Sequence, residues 1–374
     1  MNNLKKVALI YEIPAVSWRS DALWPPSADW TELKTGFLIS NLQDLVQAWR
    51  VKIPSGAPEA AGESKTAGGE ALVFRYFSDE RTELTTTWAV FMPDDLSSDM
   101  AAEDLYSIER KDKWKAAARQ RLGRALGPVV GPGPEGSNPF QPLGRAALIG
   151  AGPPRDQEVV AEASRILRGS ITLGGEDAHW YHPDSQNTAV LVAFSGFLVF
   201  SNDGHFLKGD GDRSLPNQFE RFLLLYGLAH AYRRALVESS RALAEDIPKE
   251  NNDSEKSEAC YRRLRELYDR LVRFEARCYL FSNPVDEANA ECSGMARFVM
   301  QRLNLEQLRS DLNAQLDRLQ ELANRYLAER EARRRQEEAK ATARRQRWLN
   351  GIVTVLGLAL AVGQTWFGWL SVNS

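Results

Sequence analysis

The chain has 374 residues, of which 43% are hydrophobic, and its formal net charge is −3. This length allows two domains and a membrane segment, and the near-neutral charge gives no indication that the whole chain binds nucleic acid. The three cysteines, Cys260, Cys278 and Cys292, lack metal-ligand spacing, so they are expected to be buried thiols in helices. The first apolar run is short and is interrupted by Glu12, which disfavours a signal peptide.

The first two hundred residues mix strand and helix patterns. Predicted strands lie at residues 5–13, 71–77, 84–91, 145–149 and 170–173, with a further helix at 154–167. Residues 37–49 fit either a strand or a short helix. The Val- and Phe-rich run at 188–200 predicts two strands or a bulge at Gly196. We therefore predict a cytoplasmic α/β or α+β domain around one sheet, covering residues 1–215.

A basic segment lies inside this domain. Residues 99–126 predict a helix whose second half is crowded with Lys and Arg around Trp114. Lys111, Lys115 and Arg119 recur at four-residue steps and therefore share one face. Cations neutralise phosphates and an aromatic ring can stack a base, so these four residues are candidate ligands for a nucleotide or oligonucleotide signal. A solvated helix face is the alternative interpretation.

Helical patterns dominate from residue 219 onward. One helix is predicted from 219, a second over 260–281, and a third beginning at Pro284 with Asn283 as its cap. No Pro or Gly occurs between Met295 and Asn350, which predicts one continuous helix into a terminal span. Its apolar seam comprises Leu305, Leu308, Leu312, Leu316, Leu319 and Tyr326. Residues 216–347 are therefore predicted to be a helical hairpin and a long stalk.

Residues 348–374 carry no charged side chain and predict a transmembrane helix with a short tail. The centre, 351–370, matches the ~20 residues that a membrane-spanning helix needs. Basic residues crowd the preceding flank: Arg333, Arg334, Arg335, Lys340, Arg344, Arg345 and Arg347. Since such flanks stay in the cytoplasm, the bulk of the chain is expected on the cytoplasmic side of a lipid bilayer. A buried core helix or an amphipathic surface helix is the alternative.

The predicted span has one small and polar face. It consists of Asn350, Thr354, Gly357, Ala361, Gln364 and Gly368 at helical spacing. Polar groups in hydrocarbon are costly unless they face water or a partner helix. We predict that Asn350, Thr354, Ala361 and Gln364 line a pore, with Arg347 at its cytoplasmic mouth favouring anions. One span cannot enclose a pore, so a closed ring of about four or five subunits is expected. A helix–helix contact without conduction is the alternative.

Other motifs do not support catalysis or a metal site. Residues 150–152 begin a Gly-rich turn but lack the third glycine of a dinucleotide site. His179 and His182 lack the further ligands of a zinc site, and the acidic turn at 203–212 lacks the closing Glu of an EF-hand. No nucleophile motif occurs. We therefore predict a non-enzymatic protein without a cofactor or metal.

The order of these parts resembles that of the CorA-like superfamily of membrane channels. The matching parts are the strand-rich region to Phe200, the helices over 219–281 and the long helix over 284–370. The Gly-Met-Asn signature of the magnesium transporters is absent after the span, and a second span has no room, so magnesium selectivity is not implied. Single-span members are similar to Hailong-type effectors of bacterial anti-phage defence, which are oligomeric channels held closed by single-stranded DNA.

The resemblance implies a homo-oligomeric, ligand-gated ion channel of the bacterial inner membrane that acts as a toxic defence effector. A tail-anchored helical scaffold or adaptor without conduction is the second hypothesis. A membrane-tethered enzyme is the third, although the sequence provides no catalytic site for it.

Overall fold

The structure is a computed structural model. It describes residues 4–13, 30–53, 69–77, 85–93, 108–127, 130–131, 138–152, 167, 179–182, 187–202, 218–246, 254–278, 284–285 and 289–372. The predicted strand at 170–173 and the acidic turn at 203–212 lie outside these residues. So does the predicted helix at 154–167, apart from Leu167.

Within the described segments, the chain forms nine strands and six helices. The strands are β1 (Leu4–Ile13), β2 (Trp30–Leu33), β3 (Val46–Ile53), β4 (Gly69–Tyr76), β5 (Thr86–Pro93), β6 (Gln141–Ile149), β7 (His179–Tyr181), β8 (Thr188–Ala193) and β9 (Gly196–Ser201). The helices are α1 (Ser40–Gln43), α2 (Ile108–Leu126), α3 (Gln218–Asp246), α4 (Ser254–Cys278), α5 (Ala290–Arg302) and α6 (Leu305–Val372).

All nine strands belong to one mixed sheet. Their order is β2-β3-β4-β5-β1-β6-β9-β8-β7, and only the β6–β9 pair is parallel. The predicted hairpin is confirmed as β4 and β5, which pair antiparallel. The run at 188–200 forms two strands, β8 and β9, and residues 37–49 contain both the short helix α1 and the start of β3. The prediction of an N-terminal domain around one sheet, followed by helices, is therefore confirmed.

Helices cover both faces of the sheet. On the central strand β1, Val7, Leu9 and Tyr11 share a buried apolar cluster with Leu122 and Leu126 of α2. Successive side chains of a strand point to opposite faces. The intervening residues of β1 meet α3 instead, because Lys6 and Glu12 form ion pairs with Glu220 and Arg234 of that helix. The sheet is thus enclosed between α2 and α3.

Helix α3 is held closely against the sheet. The Tyr76 hydroxyl donates a hydrogen bond to the Leu224 carbonyl at 3.1 Å. A Cβ atom at Gly227 would collide with this tyrosine, so glycine permits the close approach. Helix α3 therefore belongs to the same compact unit as the sheet. The chain divides into two compact units after Leu312. The predicted domain boundaries after residues 215 and 347 stay predictions.

The predicted continuous helix from Pro284 is wrong at two places. Pro284 lies outside any helix, its carbonyl accepts the Ile39 amide at 3.1 Å, and Val285 pairs with Leu38. A second break separates α5 from α6, where Asn304 adopts a left-handed conformation with φ 53°. Asparagine tolerates this conformation better than most residues, so a helix can end there without Gly or Pro.

Candidate functional site

The C-terminal part of α6 is the membrane-span candidate. Within the described residues, its segment Glu331–Gly363 is the single stretch that is long and apolar enough to cross a membrane. None of its most apolar window is buried, and Val353, Leu358 and Leu360 are each more than 60% exposed. A contiguous apolar surface of this kind marks a membrane or protein contact. The predicted C-terminal span is therefore supported by length and composition.

The predicted pore residues lie together on α6. Arg347, Asn350, Thr354 and Ala361 are exposed, whereas the side chain of Gln364 lies outside the described part of the helix. The Thr354 hydroxyl donates to the Asn350 carbonyl at 2.8 Å, one helical turn earlier. This bond satisfies the hydroxyl proton within the helix and leaves the oxygen lone pairs outward as acceptors. The pore-lining role of these residues stays a prediction.

Glycine makes the same helix easy to approach. A Cβ atom added at Gly351, Gly357 or Gly363 would meet no atom within 4 Å. Small residues let two helix backbones come close in a membrane, where van der Waals packing and hydrogen bonds drive association. Of the three glycines, only Gly357 belongs to the small and polar face, so that face is suited to a close contact with another helix.

The segment before the span is charged and solvent-exposed. Two ion pairs one turn apart, Arg335–Glu331 at 3.4 Å and Arg334–Glu338 at 3.6 Å, connect its first turns. No Asp or Glu follows Glu338 in the sequence, so Lys340, Arg344, Arg345 and Arg347 leave the flank of the apolar segment positive. Such a flank is typical of the cytoplasmic side of a membrane helix.

The leucine seam at the start of α6 is partly used within the chain. Leu305 and Leu312 are 1% and 2% exposed, and Arg309 between them pairs with Glu275 of α4 at 2.9 Å. Leu316 is 9% exposed, while the side chains of Leu319 and Tyr326 lie outside the described residues. The first turns of the seam are therefore covered without a second subunit, which the sequence pattern did not reveal.

The basic helix α2 lies on the sheet with its inner arginines turned toward it. Arg119 is half-buried, and its Nε has no hydrogen-bond partner among the described atoms. The guanidinium of Arg121 lies over the ring of Phe91, 5.6 Å from its centroid. The side chains of Lys111, Trp114 and Lys115 lie outside the described residues, although all three belong to the helix. Their ligand-binding role stays a prediction.

Tyr11 lies close to Arg119, the last residue of the predicted basic row. Its hydroxyl is buried without a hydrogen-bond partner among the described atoms. Burial raises the pKa of Tyr11 to about 12, while the positive charges of Arg119 and Arg145 act to lower it. Arg119 thus places a cation at a partly dehydrated position, where it interacts with anions more strongly than a fully solvated lysine does.

The cysteine and histidine motifs have ordinary structural surroundings. Cys292 is a buried free thiol, and burial raises its pKa to about 11. His182 is exposed and stacks on Trp180, while His179 forms part of strand β7. No cluster of three or more potential metal ligands occurs within the described part of the chain.

Two features were not anticipated from the sequence. Glu220 is buried at the start of α3 and pairs with Arg50 of β3. A cleft beside α3 is lined by Phe194, His230 and Arg233. The sequence signal that could have indicated the first feature is Glu220, an acidic residue inside an apolar helix. The signal for the second is Phe194, a large apolar residue in a two-residue connection between strands.

No protein-family model matches the chain, and no curated protein or solved structure is significantly similar to it.

Proposed function

We propose that this protein is a homo-oligomeric, CorA-like ion channel of the bacterial inner membrane. The observation that carries the proposal is the fully exposed apolar segment of α6, with its small and polar face beside its large apolar residues. Lipid covers the apolar side of such a helix, and the polar side needs water or neighbouring subunits. A ring of identical helices satisfies both sides at once.

In this ring, each subunit contributes one lining helix. Asn350, Thr354, Ala361 and Gln364 face the axis, so amide and hydroxyl groups replace part of the hydration of a passing ion. Arg347 lies about one turn before Asn350 and forms a positive ring at the cytoplasmic mouth. Positive rings attract anions, which favours anion conduction over cation conduction.

The proposed gate responds to an anionic signal at α2. Lys111, Trp114 and Lys115 supply charge and a stacking surface for a nucleotide or a single-stranded nucleic acid, and Arg119 supplies a charge close to the sheet. The signal must bind one state of the channel better than the other to shift its opening. Opening the channel depolarises the cell, which is consistent with a toxic effector of anti-phage defence.

The tail-anchored scaffold is the second candidate function. Tyr268 and Val272 are 39% and 45% exposed and lie one turn apart on α4. Among the described residues outside α6, only Phe194 joins them as an exposed large hydrophobic residue. An exposed apolar pair on a helix favours contact with another protein, which is what an adaptor needs.

Mass photometry of the full chain in detergent separates the two functions at the level of assembly. The channel requires a discrete multimer, expected at about four or five subunits, because one helix cannot enclose a pore. A clean monomer at micromolar concentration would exclude the channel and leave the scaffold.

A further inference from the structure

A cleft of about 250 Å³ lies beside α3, between that helix and the turn joining β8 to β9. Its walls combine the aromatic residues Phe194 and Trp88 with the arginines Arg233, Arg234 and Arg241. The acids Glu12 and Glu238 also line the cleft. The volume is slightly below the ~300 Å³ at which ligand pockets begin, so the cleft has room only for a small ligand.

Phe194 is an exposed aromatic ring on a fixed backbone. The side chain is 55% exposed at a two-residue hairpin turn. The Tyr226 hydroxyl, however, lies 2.6 Å from the Phe194 carbonyl and 3.2 Å from that of Ala193. The adjacent Ser195 carbonyl accepts the Arg145 amide at 2.9 Å. Because these hydrogen bonds already fix the backbone of the turn, a ligand that binds against the Phe194 ring loses little affinity to ordering of that backbone.

Close packing explains why the turn cannot relax away from the cleft. Gly196 follows the turn with φ 146°, and a Cβ atom there would collide with the Arg145 carbonyl. A Cβ atom at Gly144 would likewise collide with the Ser195 carbonyl. Only glycine fits both positions, so the turn lies directly against β6.

The charges of the cleft are only partly neutralised. Arg234 is engaged by Glu12 and by Glu238, at 2.7 Å from the latter. The Arg233 guanidinium instead lies over the Phe194 ring, 4.8 Å from its centroid. No described carboxylate pairs with Arg233 or Arg241. The N–H donors of an arginine lie in the plane of its guanidinium group, so an arginine stacked on an aromatic ring can still donate to a carboxylate or phosphate at its edge.

His230 adds an aromatic ring to the inner wall. It is 7% exposed and is surrounded by the rings of Tyr226, Phe194 and Trp88, whose centroids lie 4.6, 5.2 and 5.5 Å away. Its Nε2 is buried and has no hydrogen-bond partner among the described atoms. His230 therefore extends the aromatic surface behind Phe194 without presenting this nitrogen to the cleft.

We propose that this cleft binds a small anion that carries an aromatic ring. The ring lies against Phe194, and the negative charge is held by Arg233 and Arg241. The inference does not depend on the channel, because the cleft belongs to the sheet unit and binding requires no membrane potential.

Isothermal titration calorimetry of the full chain in detergent tests this proposal with four small molecules. Adenosine monophosphate carries both a ring and an anion, adenosine carries only the ring, and inorganic phosphate carries only the anion. Benzoate is an aromatic anion without a nucleotide. We expect adenosine monophosphate, benzoate or both to bind saturably. Adenosine and inorganic phosphate should each bind more weakly than adenosine monophosphate. A preference between the two aromatic anions distinguishes a nucleotide from an aromatic carboxylate.

Two variants locate the binding. Phe194→Ala and Arg233→Gln should each weaken the aromatic anion by about tenfold or more, since stacking and a charged hydrogen bond are each of that order. His182→Ala and Arg262→Gln are matched controls, because both residues are exposed and neither lines the cleft. Both controls should bind like the wild type.

Thermal unfolding of each variant confirms that it is folded at the temperature of the titration, and because Phe194 is 55% exposed, its removal should lower the midpoint only slightly. The proposal is overturned if neither aromatic anion binds the wild type at millimolar concentration. It is also overturned if folded Phe194→Ala and Arg233→Gln both bind with wild-type affinity.

Discussion

Arg50 of β3 donates a hydrogen bond to the carboxylate of Glu220 in α3 at 2.7 Å, and Glu220 is only 1% exposed. Lys6 of β1 lies 3.9 Å from the same carboxylate. Burial raises the pKa of Glu220, while the charges of Arg50 and Lys6 act to lower it. Two strands are thus joined to the first turn of α3 by one buried acid.

Removing Arg50 should destabilise the protein strongly. Arg50→Met leaves the buried Glu220 with the more distant Lys6 as its cation, so the free energy of unfolding should fall by about 3 kcal/mol. Arg309→Met is the control, because Arg309 and Glu275 are each 28% exposed and solvated pairs contribute below about 1 kcal/mol. Thermal unfolding of both variants in the same detergent measures the difference. Equal losses of unfolding free energy in the two variants would show that the buried Arg50–Glu220 pair stabilises the fold no more than a solvated pair does.

The stability of the protein should fall in mild acid because of His230. Burial, with a smaller contribution from the Arg233 charge, lowers the pKa of His230 to about 3. A group whose folded pKa is depressed below its unfolded value of about 6.5 stabilises the fold above pH 6.5 and loses that contribution as the pH falls. Between about pH 8 and 5, the wild type should lose on the order of 2 kcal/mol through this residue.

His230→Phe isolates this effect. The variant cannot protonate at this position, so its thermal midpoint should decline less than that of the wild type over the same pH range. Glu12 and Glu238 of the cleft wall are present in both proteins, so their contributions cancel in the comparison. Parallel pH profiles would contradict the assignment to His230.

The sequence predicted the sheet well where local pattern determines structure. The β4–β5 hairpin and the division of residues 188–200 into two strands followed from apolar runs and from Gly196. The break at Asn304 was missed because neither Gly nor Pro marks it. It depends on packing, since Leu303 and Leu305 on either side are 5% and 1% exposed. The Arg50–Glu220 pair was also missed, because 170 positions separate the two residues.

The C-terminal apolar helix could be predicted from the sequence, whereas the surroundings of Arg119 and the cleft at Phe194 could not. An uncharged terminal run is sufficient to predict a span, because length and hydropathy decide it. The inward turn of Arg119 toward Tyr11 depends on how α2 lies on the sheet, so spacing alone placed it with Lys111 and Lys115. The cleft at Phe194 is formed by strands and a helix that are distant in sequence. A periodic pattern within one segment cannot predict a contact between two such segments.

The small face of the span should control assembly. Gly357→Leu adds a bulky side chain where the helix currently leaves open space, so it should disrupt a close contact between subunits. Leu358→Ile is the control, because it keeps the volume of an exposed apolar neighbour. Mass photometry should show fewer multimers for Gly357→Leu alone. Unchanged multimers for this variant would mean that subunits associate through another surface.

The basic row should bind single-stranded nucleic acid through its lysines. Lys111→Glu/Lys115→Glu should weaken binding of a short single-stranded DNA, and wild-type affinity should fall steeply with salt because phosphates release counterions. Arg119 is left intact, since it is half-buried beside Tyr11 and its replacement would also disturb the fold. Fluorescence anisotropy at two salt concentrations measures both effects. Identical binding by the wild type and the double variant would identify the row as a solvated helix face.

The polar face of the span should set the conductance. Gln364→Leu removes a polar group from the proposed lining and should reduce the current through the channel. Val355→Thr, which adds a hydroxyl on the opposite side of the helix, proposed to face lipid, should have a smaller effect. Equal effects from the two variants would assign the polar stripe to helix packing.

Planar-bilayer recording of the purified wild-type protein tests the central claim most directly. The account predicts discrete, stepwise currents that are reduced by Gln364→Leu and preserved by Val355→Thr. Protein that is demonstrably inserted in the bilayer but carries no current above the protein-free membrane, with single-stranded DNA present or absent, would contradict it.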